Sequence, residues 1–196
     1  HALGQLTALA AEGAFHVALL HGVTGSGKTE VYVRLAREVC AGGRRVLMLV
    51  PEIALTPAVA AAFHATFGRR VAIQHSGLSD GERHDQWHRI RRGEIDVVVG
   101  TRSAVFAPVV DLGLIIVDEE HDGSYKQEET PRYHARSVAT IRAQRAGALV
   151  VLGSATPSLE SYHHARAGRY RCVVMAERVH QRPLPDVEIV DMRAEL

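Results

Sequence analysis

Gly22-Val23-Thr24-Gly25-Ser26-Gly27-Lys28-Thr29 fits G-x-x-x-x-G-K-[ST], and it limits what this chain can become more than any other stretch. The run before it, Val17 to Leu20, is short and apolar, as a buried parallel strand should be. The run after it, Glu30 to Cys40, carries Val31, Leu35 and Val39 near helical spacing. Strand, glycine loop and helix are the context that a phosphate-binding loop requires. Gly22, Gly25 and Gly27 let the backbone wind tightly, so that the N–H groups of Thr24, Gly25 and Ser26 can point inward. The helix N-terminus adds its positive dipole end. Lys28 is placed to reach β- and γ-phosphates, and Thr29 to hold Mg²⁺ through its hydroxyl.

The rest of the chain repeats the alternation. Strands are predicted at 45–50, 70–75, 95–99, 112–117, 148–152 and 170–175. Helices are predicted at 1–15, 52–67, 79–92, 134–146 and 158–167. Pro57 is tolerable only in a first turn, which fixes the start of one helix near Glu52. Ser79 with Glu82 three residues on reads as a capping box. Alternating strands and helices imply a doubly wound, mostly parallel α/β sheet with helices on both faces. Residues 1–176 are read as one lobe. Residues 177–196 are read as a linker, with Val187 to Val190 opening a further domain. The first residue is not methionine and the last follows a strand-like run, so the expectation is an excised piece of a longer protein.

Composition excludes several classes. A net charge of +1 is not that of a globally basic nucleic-acid binder, so any basic surface must be local. Cys40 and Cys172 stand far apart with no C-x-x-C pair, which gives no structural zinc site and suits a reducing cytoplasm. No apolar run is long enough to cross a bilayer. His84 and His88, at i and i+4, could share a metal, but no third ligand is placed beside them and a solvated helix face is the preferred reading. Gln5 has two equal readings, a partner for an adenine edge or an exposed polar residue.

The unusual polar residues cluster after the strands: the phosphate loop, Glu52, Gly100 to Ser103, Asp118 to His121, and Ser154 to Thr156. In a parallel sheet those loops share one rim, where ligands bind. Asp118-Glu119 after four apolar residues is a Walker B arrangement. Asp118 is expected to position Mg²⁺ through its water shell, and Glu119 to orient the attacking water.

Asp118-Glu119-Glu120-His121 is the DEEH box of superfamily 2 helicases, and Ser154-Ala155-Thr156 resembles their motif III. With Gly22 to Tyr32, Val50 to Thr56, Gly100 to Ala104, Ser124 to Gln127 and Arg132 to Arg136, the chain closely resembles the PriA family of primosomal, replication-restart helicases. The resemblance runs from about residue 5 to the end. It implies the first RecA-like P-loop lobe of a 3′-to-5′ DNA helicase that uses ATP and Mg²⁺. It implies single-stranded and forked DNA as partners, with single-stranded DNA-binding protein and other primosome proteins. The family's zinc-binding cysteines do not occur in this segment. On this resemblance Thr101 and Arg102 are expected to donate to DNA phosphates, and Tyr125, Lys126, Arg132 and Tyr133 to form an aromatic, cationic loop that senses DNA. His121 is expected to relay between the nucleotide and Ser154 or Thr156, which link ATP state to lobe movement. A double-stranded DNA translocase and a non-catalytic fork-binding module are the alternatives. The intact Lys28, Thr29, Asp118 and Glu119 speak against the second.

Overall fold

The computed structural model describes residues 1–51, 57–75 and 77–177. The expectations for Glu52 to Thr56, for the linker from Arg178 and for the strand at Val187 lie outside the described residues. Strands β1 (His16–Gly22), β2 (Arg45–Leu49), β3 (Val71–Gln74), β4 (Val97–Gly100), β5 (Leu112–Val117), β8 (Leu149–Ser154) and β9 (Arg171–Met175) form one seven-stranded sheet. Its order is β3-β4-β2-β5-β8-β1-β9, and the pairs are parallel throughout.

Period-two alternation divides the core. Ala18, Leu20, Val46, Met48, Leu114 and Ile116 face one layer, made by α1 (Ala2–Ala11), α2 (Lys28–Ala41) and α3 (Pro57–Phe67) through Leu6, Tyr32, Leu35 and Phe63. Leu19, Leu47, Leu49, Ile115, Val117 and Leu152 face the other. There α4 (Asp80–Arg91) brings Ile90, and α5 (Ala135–Ala146) brings Ala135, Ala139 and Ala143. That alanine row at four-residue spacing lets α5 lie close to the sheet. Burying each large aliphatic residue stabilises the fold by about 1.5–3 kcal/mol.

Helix ends follow the sequence signals. Ser79 caps α4 as a complete capping box with Glu82. Ser158 caps α6 (Leu159–Arg166) by accepting from the Ser161 N–H. One expectation is corrected. The stretch after Tyr125 is not a plain loop but a two-stranded antiparallel hairpin, β6 (Lys126–Gln127) with β7 (Tyr133–His134). Strands of two residues leave no periodicity to read.

Candidate nucleotide site and adjoining hairpin

Strand order explains why distant residues meet. β8 lies between β5 and β1, so the loops after β1, β8 and β5 stand side by side on one rim. In the β1/β8 register Leu20 pairs with Gly153 and His21 with Ser154; in β5/β8 Val117 pairs with Leu152.

The phosphate loop is built on left-handed glycines. Gly25 has φ +80° and Gly27, the N-cap of α2, has φ +86°. A Cβ at Gly22 would stand 2.7 Å from Ser26 Oγ. Ser26 is buried and its hydroxyl has no hydrogen-bond partner. Such an orphan is costly unless a ligand completes it. Beside it the nearly buried Lys28 donates from Nζ to Gly22 O at 2.9 Å and lies 3.5 Å from Glu119 Oε1. An unpartnered hydroxyl, an ammonium and the free N–H groups of a helix start fit a phosphate group. Thr29 is half-buried in the first turn; Thr24 and Gly25 are exposed.

Asp118 is held at both ends. Its N–H donates to Leu49 O at 2.9 Å, and its carbonyl accepts from the Tyr125 hydroxyl at 2.6 Å. Its carboxylate accepts from the Tyr32 hydroxyl at 2.8 Å. Burial pushes the Asp118 carboxyl above its ordinary range, against the Tyr32 hydrogen bond. Among the described residues no group of three or more His, Cys, Asp or Glu could hold a metal. Mg²⁺ with a triphosphate takes one or two protein carboxylates and fills its sphere with water and phosphate. Asp118 and the Thr29 hydroxyl are the residues that would hold it. His84 and His88, with rings 4.4 Å apart on α4, belong to no such group.

Glu119 has φ +43°, a left-handed conformation that a non-glycine residue adopts under strain. Its Oε1 faces Lys28, and its Oε2 is 3.7 Å from His121 Nδ1. That same Nδ1 is 2.8 Å from Ser154 Oγ, which accepts from the Thr156 N–H at 2.9 Å, and His121 Nε2 is 3.4 Å from Thr156 Oγ1. A chain of polar contacts therefore runs from Lys28 through Glu119 and His121 to Ser154 and Thr156.

Glu120 was given no role by the sequence, yet it is the most enclosed of the three acids. It is 1% exposed and accepts from Arg136 Nη1, from the Ser158 N–H at 2.7 Å and from Ser161 Oγ at 2.9 Å. Burial pushes its carboxyl up, but these donors together hold it below the usual range. The one clue in the sequence is the Ser158 and Ser161 pair at a helix start.

On the hairpin side several roles change. Tyr125 is 0% exposed with its hydroxyl on Asp118, so it cannot stack on a base. Thr101 is buried, so its hydroxyl is not offered at the surface. Arg102 Nη1 donates to Ser124 O at 3.1 Å and Lys126 O at 2.9 Å, which fixes the base of the hairpin. Lys126 and Arg132 are exposed, and with Tyr133 they line a cavity of about 550 Å³. Phe106, missed in the sequence, is half exposed and meets the Tyr133 ring edge-on at 5.0 Å. Gln5 is exposed on α1.

Residues 4–165 match the family model of the DEAD/DEAH box helicases. The chain is 56% identical to the replication restart protein PriA of Bacillus subtilis, over 92% of this chain and 22% of that protein. It is 54% identical to PriA of Synechocystis, over 93% of this chain and 22% of that protein. The chain thus spans about a fifth of the length of these curated relatives. The helicase domain of Pyrococcus furiosus Hef has the same fold, with a TM-score of 0.60 at 21% identity over 90% of this chain and 38% of that one. No described helix is long and apolar enough to cross a membrane. By sequence, by fold and by the residues gathered at the rim, the chain belongs to the DEAD/DEAH box helicase family.

Proposed function

We propose that this chain is the ATP-binding motor lobe of a cytoplasmic 3′-to-5′ DNA helicase of the PriA type, acting at stalled forks with single-stranded DNA-binding protein and other primosome proteins. The observation that carries it is Lys28 facing Glu119 at 3.5 Å, with the half-buried Asp118 on the same rim and an unpartnered Ser26 hydroxyl in the phosphate loop. Lys28 exchanges its contact with Gly22 O for a phosphate oxygen and offsets charge on the transferring group. Glu119 orients a water and accepts its proton. Mg²⁺, which Asp118 and Thr29 would hold, would supply neutralising charge to the phosphates. His121 carries the change at Glu119 to Ser154 and Thr156 through the contacts described above. Lys126, Arg132, Tyr133 and Phe106 offer cations and rings to a DNA strand. By the family's pattern an arginine from a second lobe completes the transition-state site, so turnover by this chain alone is expected to be slow.

A fluorescent ATP analogue tests the reading. The wild-type chain should bind it, and Lys28→Ala should weaken binding by about tenfold or more, as expected for losing a charge-assisted contact. Equal binding by both would overturn the nucleotide reading.

A further inference from the structure

Lys28 and Tyr32 are four residues apart on α2, so one helix face presents both. The Tyr32 ring is fully buried, and its hydroxyl donates to Asp118 Oδ1 at the end of β5, beside β8. The hydroxyl lies over Gly153. A Cβ there would lie 1.7 Å from the Tyr32 hydroxyl oxygen, 2.9 Å from Cζ and 3.4 Å from Asp118 Oδ1. Gly153 sits in regular strand, so glycine is required here for room and not for conformation.

We propose that Tyr32 is a positioning residue that fixes the Asp118 carboxylate for hydrated Mg²⁺, and that the bare backbone at Gly153 leaves the room its hydroxyl occupies. This rests on the reading that Asp118 serves Mg²⁺ and ATP. A carboxylate swings about its χ angles and presents either oxygen. The Tyr32 hydroxyl holds Oδ1 and so limits how the carboxylate can turn. Tyr125 holds the carbonyl of the same residue at 2.6 Å, so side chain and main chain are both anchored. The chemistry of the donor matters. A lysine or arginine at this point would neutralise the carboxylate and compete with the cation, whereas a phenol orients it without adding positive charge. A buried tyrosine needs some acceptor for its hydroxyl in any case; that bland role predicts an effect on stability alone.

The test is Mg²⁺ titration of fluorescent ATP-analogue binding, alongside thermal melting. Tyr32→Phe keeps the ring and removes the hydroxyl. The Mg²⁺ concentration for half-maximal binding should rise about tenfold, the low end for partners that orient metal ligands. Binding without Mg²⁺ should be unchanged. Gly153→Ala should raise the Mg²⁺ requirement in the same way, and should add little in the Tyr32→Phe background, because both changes break one contact. Superimposable Mg²⁺ titrations for wild type and Tyr32→Phe would overturn the inference, whether or not Gly153→Ala folds. A wild-type chain whose binding ignores Mg²⁺ would overturn the Mg²⁺–ATP reading itself.

Discussion

Two glutamates adjacent in sequence occupy opposite kinds of environment. Glu119, on the nucleotide side, is part exposed, strained at φ +43°, and faces Lys28 and His121 at 3.5 and 3.7 Å. Glu120, on the side of α5 and α6, is enclosed and takes donors from Arg136, Ser158 and Ser161. One acid has spare capacity and a backbone held out of its preferred basin. The other has none to spare. The difference teaches which acid can do chemistry: a group that must meet a substrate is left incompletely satisfied, and its neighbour carries the scaffold that permits this.

The sharpest test of that contrast is Glu119→Gln. DNA-stimulated ATP turnover should fall by about 10²-fold or more, as for loss of a general base, while the urea midpoint moves little. Large destabilisation with turnover retained would reverse the assignment. Glu120→Ala should do the opposite. It leaves the Arg136 guanidinium without its buried partner and should cost about 3 kcal/mol in urea unfolding. A loss under half of that would mean that water satisfies Arg136 as well as Glu120 does. The mildest test uses Glu82, which is tied to Ser79 as Glu120 is to Ser158, but in open solvent. Hydrogen bonds from the Ser79 side chain and backbone hold its carboxyl below the ordinary value. Its contribution is therefore present above the unfolded value near 4.5 and fades as pH falls through the lower folded one. Wild type minus Glu82→Gln stability should shrink over that acid window and stay flat from pH 6 to 8. A slope at neutral pH would contradict the capping role.

Much of this was legible in the sequence because the signals were local. Val17 to Leu20 and Leu112 to Val117 read as strands by their apolar runs, and Lys28 and Asp118 were placed by the pattern around them. What the sequence hid were contacts that close over long separations. Arg102 reads as a phosphate donor, and nothing local shows that the carbonyls of Ser124 and Lys126, more than twenty residues on, hold its Nη1. Tyr125 reads as a stacking aromatic because its neighbours are polar, yet the ring is swallowed by the core beneath Asp118. Glu120 reads as one more acid in a cluster, since Ser158 lies 38 residues away.

The placement of β8 between β1 and β5 has one last consequence. Two inter-strand steps, roughly 9.6 Å, separate the backbone that launches Lys28 from the backbone that carries Asp118. That gap is set by main-chain hydrogen bonding and is the same whatever side chains the strands carry. The sheet thus acts as a gauge block: loops on the rim can diverge while the span between cation and carboxylate stays constant.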